Sequence, residues 1–113
     1  MTTDQDTVLR PYQQTLTVGT DHPALPGHFP GAPVVPGVLL LAQVLEAAEA
    51  WLGEPVQPLK LRQAKFPAPW LPGIAAEAHL QRDAHSLRFE VKAAGTTLAV
   101  GVFELAGAAP VRP

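Results

Sequence analysis

The chain contains no cysteine. That single absence excludes disulfides, thiolate metal sites and a cysteine nucleophile, and it fits a reducing compartment. Also missing is any run near the roughly 20 apolar residues that a membrane-spanning helix needs. Residues 1–6 are polar and acidic, unlike a signal peptide, so a soluble cytoplasmic protein is expected. Positive charge is scarce too. Eight Lys and Arg against ten Asp and Glu give a formal charge of −2, with no basic run, and nucleic-acid binding is not expected.

Apolar side chains and proline are plentiful. Hydrophobic residues make up 47% of the 113, enough for a real core, and no break in composition marks a second domain. Residues 1–113 therefore read as one domain, with 107–113 a frayed tail. The 13 prolines gather at residues 23–36 and 55–72, each cluster flanked by apolar segments, as in shaped loops inside a fold.

Side chains alternate between apolar and polar over residues 12–18, which predicts a strand. Residues 37–52 contain no proline, are rich in Leu and Ala, and end at Gly53. This predicts a helix about 24 Å long with Gly53 as its stop. Its strongly polar members are Gln43, Glu46 and Glu49, and a helix so apolar is expected to be buried nearly all round. Strands are predicted over 59–66, 74–82, 86–93 and 97–105, with a rigid turn at 67–73 and short meander connections after 82 and 93. The expected class is α+β: an antiparallel sheet wrapped around one long buried central helix.

Residues 27–37 read Gly-His-Phe-Pro-Gly-Ala-Pro-Val-Val-Pro-Gly and run directly into the helix. Proline and glycine together restrict this loop to one rigid path that holds His28 near a helix N-terminus. An imidazole titrates near neutral pH, so the arrangement suits acid–base chemistry on a carbonyl compound.

This string, with the order strand, helix, strands, resembles the hotdog fold of the 3-hydroxyacyl-acyl-carrier-protein dehydratases, the aryl-polyene branch included. The flanking stretches at 21–26, 65–69 and 72–73 look similar as well. The resemblance implies that His28 removes the C2 proton of a 3-hydroxyacyl thioester while water leaves from C3. It implies that the Gly37 backbone N–H donates to the thioester oxygen, with Phe29, Pro36, Val38 and Ala42 around the substrate. The positive end of the helix dipole has the right polarity for that oxygen. No cofactor and no metal is implied. The implied substrate rides on an acyl carrier protein or on coenzyme A. A homodimer is expected, with a mixed dimer of two hotdog subunits as the other form, because a small curved sheet around an apolar helix leaves an edge and apolar surface uncovered.

One departure matters. Members of that family carry Asp or Glu fourteen residues after the histidine, supplied to the partner subunit's site; here that position is Ala42. Glu46, one turn on, lies on the adjacent patch of the same face, but displaced by roughly 5.4 Å. Gln43 points about 100° away. Against catalysis, Glu46 also reads as a carboxylate at the helix edge and His28 as a loop histidine that stabilises its own turn. His22, His79 and His85 read as ordinary loop or surface histidines, without the spacing of a zinc site. Trp51 and Trp70 read as packing anchors, Trp70 also as part of a pocket mouth. Two functions stand side by side: a dehydratase, favoured by His28 with Gly37, and a non-catalytic acyl-binding or partner hotdog subunit, favoured by Ala42. A thioesterase on the same fold is weaker, since those enzymes usually rely on a carboxylate.

Overall fold

The structure, a computed structural model, describes residues 11–20 and 34–106. His22, His28, Phe29 and the tail from 107 lie outside the described residues. The elements are β1 (Tyr12–Leu16), α1 (Gly37–Leu52), β2 (Pro58–Lys65), β3 (Ala76–Arg82), β4 (Ser86–Ala93) and β5 (Thr96–Leu105). All five strands form one antiparallel sheet in the order β1-β3-β4-β5-β2.

Helix α1 begins and ends where the sequence predicts. Pro36 sits at its N-cap with φ −60° and ψ 143°. It ends because Gly53 adopts the left-handed conformation (φ 74°), from which its N–H donates to the Glu49 carbonyl at 2.9 Å. Leu40, Val44, Ala47 and Ala48 are buried, one helical face at the spacing that follows the 3.6-residue period. They pack on the inward side chains of the sheet, Ala78 and Leu80 of β3, Leu87, Phe89 and Val91 of β4, Ala99 and Phe103 of β5. The alternation in β3 is complete: Ala76, Ala78, Leu80 and Arg82 point inward, Glu77, His79 and Gln81 outward. Gly101 faces Phe89 across β4 and β5. A Cβ there would run into the Phe89 ring and the Gln63 carbonyl, so the inner face closes only over glycine.

Four expectations change. β1 stops at Leu16, two residues early, and β3 starts at Ala76, two residues late. The segment 66–75 is longer than the rigid turn predicted at 67–73. It carries the chain from the edge strand β2 to β3, on the far side of β5 and β4. Turn chemistry is local, whereas pairing partners depend on the whole sheet. Lastly, α1 is not buried all round in the single chain: Val38 is 80% exposed, and Ala42, Glu46 and Ala50 are exposed beside it.

Candidate active site

The crossing segment 66–75 is tied to the rest of the protein at two points and braced within itself by a third bond. Val35 N–H donates to the Trp70 carbonyl at 2.8 Å, Gly73 N–H to the Val18 carbonyl at 2.7 Å, and the Trp70 indole N–H to the Ile74 carbonyl at 2.8 Å. Trp70 is 2% exposed, so its apolar body is spent on the core while its one polar atom is satisfied. These bonds fix the approach to α1 against a rigid strap.

Between strap and helix lies an apolar cavity of about 660 Å³, walled by Val35, Pro36, Gly37 and Leu41 on one side and by Phe66, Trp70 and Leu98 on the other. Phe66 rests over Gly37; a Cβ on Gly37 would sit 3.2 Å from the ring edge, tighter than ordinary packing. Glycine at 37 thus lets an aromatic wall approach the first turn of the helix. In that turn no side chain caps the backbone and no acidic residue is present. The Leu39 and Leu40 N–H groups turn back to the Pro36 carbonyl, at 3.0 and 3.1 Å. Those of Gly37 and Val38 meet no acceptor among the described residues. Two donors at the positive end of a helix, beside an apolar cavity, can stabilise an oxygen that gains negative charge.

The sequence-predicted residues divide. Pro36, Gly37 and Val38 line the cavity. Ala42 and Glu46 do not; both are exposed along the outward side of α1, and Glu46 makes no hydrogen bond or ion pair with any described residue. Gln43 donates to the Thr17 carbonyl at 3.1 Å, which tethers the helix to the end of β1. The wall residue hardest to foresee is Leu98. A register shift between Val91 and Lys92 lets Leu98 and Ala99 both turn inward, and alternation alone would send one of them out. Trp70 proves to be both packing anchor and cavity wall.

The opposite end of α1 is closed. The Glu49 carboxylate accepts from the Val56 N–H at 3.1 Å, and Trp51 stacks on Tyr12 with ring centroids 5.3 Å apart. Arg82, 6% exposed, donates to the Asp83, Ala84 and Ser86 carbonyls at 2.7, 3.3 and 3.4 Å and so holds the β3–β4 hairpin. Burial lowers its affinity for the proton, opposed by the nearby Glu54 and Asp83 carboxylates. His79 contacts Glu77 on the outward sheet face at 3.1 Å. No group of three His, Asp or Glu among the described residues converges as a metal site would require, and no helix among them is long and apolar enough to cross a membrane.

A family described as ApeI-like, the ApeI dehydratase, matches residues 3–102. The chain belongs to the ApeI-like dehydratase family. Curated relatives of this ApeI-like chain include the 3-hydroxyacyl-[acyl-carrier-protein] dehydratase FabZ of Rhizobium etli, 33% identical over 73 residues, 58% of this chain and 47% of that protein. FabZ of Chlamydia trachomatis serovar L2 is 37% identical over 70 residues, 54% of this chain and 44% of the other. The ApeI-like chain thus matches about half the length of these relatives. Among solved structures, the dehydratase heterocomplex ApeI:P from Xenorhabdus doucetiae superimposes with a TM-score of 0.76 at 25% identity, covering 84% of this chain and 86% of that one. An uncharacterized protein from Erwinia carotovora subsp. atroseptica gives 0.79 at 27% identity, over 95% and 89%. The architecture is accordingly the hotdog fold, one central helix with a five-stranded antiparallel sheet.

Proposed function

We propose that this chain dehydrates a 3-hydroxyacyl thioester, carried on an acyl carrier protein or on coenzyme A, to the trans-2-enoyl thioester. The observation that carries this reading is the apolar cavity beside the uncapped first turn of α1, where the Gly37 N–H points to no acceptor among the described residues. An acyl chain fits the apolar wall, and the thioester oxygen accepts from Gly37. His28, nine residues earlier in the chain, takes the proton from C2. The C2–H electrons form the C2–C3 double bond and the C3 hydroxyl departs as water after receiving a proton. An imidazole close to neutral pH suits that transfer, and such groups typically contribute about 10²–10⁴-fold to rate.

The hydroxyl needs an acid, and Ala42 cannot provide one. Glu46, exposed on the outward face of α1, is placed to serve a neighbouring subunit more readily than its own cavity. The ApeI-like family relation and the ApeI:P heterocomplex favour a second hotdog chain as the completing subunit. A specific observation keeps the second reading alive. With alanine at 42 and a Glu46 that pairs with no described residue, the chain also fits an acyl-binding subunit that supports a competent partner.

Purified protein given 3-hydroxyacyl-carrier protein, with the 2-enoyl product followed, decides between them. We expect His28→Ala to abolish turnover, Glu46→Gln to lower it, and Ala42→Glu to raise it. Turnover that survives His28→Ala would sink the mechanism. Product formed only after a second hotdog chain is added, and unaffected by His28→Ala, would establish the acyl-binding reading instead.

A further inference from the structure

The walls of the cavity come from two stretches of chain, with one exception. Among the described residues, 34–41 and 66–70 supply all of the lining but Leu98, which stands on β5. Along β5 the inward positions are Ala99, Gly101, Phe103 and Leu105, at the regular period of two. That period sends residue 98 outward. It turns inward instead, 4% exposed, because β5 carries one residue more than β4 at this place. Val91 pairs with Ala99 and Lys92 with Thr97, which leaves Leu98 unmatched. The surplus is not taken up in the hairpin. Ala93 pairs with Thr96, and Ala94 and Gly95 between them have φ of 50° and 81°, the conformation of a tight two-residue turn. The turn fixes the register on one side and the packed pair Val91 and Ala99 fixes it on the other, so the extra residue stands at 98.

Exposure gives the cavity a direction. Val38 and Phe66, beside Gly37, are 80% and 47% exposed, whereas Leu40, Trp70 and Leu98 are buried. The open end therefore lies at the uncapped first turn of α1, and the closed end at Leu40, Trp70 and Leu98. A thioester held at Gly37 directs its acyl chain toward the closed end. Of the three residues there, Leu40 belongs to the buried face of α1, and Trp70 is tied by its indole N–H and its carbonyl. Leu98 is the one that a local irregularity of the backbone turns into the wall. Bulges beside active sites re-aim side chains in this way.

We propose that Leu98 is a specificity-determining residue: placed by the β5 bulge at the closed end of the cavity, it sets the longest acyl chain that the site accepts. The proposal rests on the reading of this cavity as an acyl site, and adds to it the residue that measures the chain. The probes are saturated acyl-coenzyme A thioesters of increasing length, which bear no 3-hydroxyl and cannot be dehydrated. They are titrated into the purified protein and binding is read by calorimetry. We expect affinity to rise with each added methylene up to a limit and then to fall. Leu98→Ala should move the limit to longer chains, strengthening binding of the first chain beyond the wild-type limit about tenfold. Leu98→Phe should move it to shorter chains and weaken the longest well-bound chain by a similar factor. Opposite shifts from opposite changes in size are not what a loss of stability produces. If Leu98→Ala fails to fold, Leu98→Val and Leu98→Phe carry the test. A limit that stays in place in the folded variants, or affinity that does not depend on length, overturns the proposal. Binding, not turnover, is the readout. A limit that follows the size of residue 98 in a protein that forms no enoyl product refutes the dehydratase reading and leaves the assignment of Leu98 standing; enoyl product with an unmoved limit does the reverse.

Discussion

The two ends of α1 are built on opposite principles. At the C-terminal end several polar groups find partners: Gly53 turns left-handed, Glu49 receives the Val56 N–H, Trp51 stacks on Tyr12, and one terminal nitrogen of Arg82 donates to three carbonyls while its Nε stays buried with no partner among the described residues. At the N-terminal end there is no side-chain cap and no acid, and two N–H groups face no acceptor among the described residues, beside an apolar cavity. Uncapped ends forgo about 1 kcal/mol of stability. The open donors at the N-terminal end are the ones the proposed mechanism uses. On the proposed function, stabilising contacts gather at one end of the helix and the chemistry at the other.

Substitutions at the two ends should therefore have different readouts. The largest effect is expected from Gly37→Pro. Proline is well tolerated at the first helical position, where its missing N–H has no intrahelical partner. It should lower turnover about 10²–10³-fold, as loss of an oxyanion donor does, with little change in the thermal midpoint; Gly37→Ala, which keeps the N–H and only nudges Phe66, should be far milder. Equal losses in both variants would remove the backbone donor from the mechanism. Next comes Arg82→Met at the closed end. Three carbonyls lose a charged donor, at a cost of about 2–3 kcal/mol. Chemical denaturation should show the loss while turnover per folded molecule stays constant. The smallest is Glu49→Ala, about 1 kcal/mol through the Val56 N–H, read as a fall of a few degrees in the melting midpoint. A change in turnover with either closed-end variant would break the division between the ends.

Some of this was legible in advance because the information is local. Absence of proline from 37 to 52, Pro36 before and Gly53 after set the helix limits, since backbone torsions at those residues depend on their own chemistry. The strands of the β3–β4–β5 meander were legible for the same reason, through alternation and short connections. The family resemblance rested on the 27–37 string, and the ApeI-like match over residues 3–102 bears it out. The cavity was not legible. Its wall joins residues 34–41, residues 66–70 and Leu98, three separate stretches of chain, and Leu98 reaches it only through a shift in register. Nor was the partial exposure of α1, because an apolar helix reads as buried whether its cover lies in the same chain or in another.

The amino-acid sequence by itself determined where the elements lie, which family the chain resembles, and that alanine stands at position 42, for each of these follows from residue identity and near-neighbour torsions. Only the tertiary structure decided that segment 66–75 spans the sheet and walls a cavity against Gly37, that Glu46 looks outward, and that the charged strand β2 is a free edge. Those facts follow from which distant segments meet, and that is set by the packing of the whole sheet against one face of the helix.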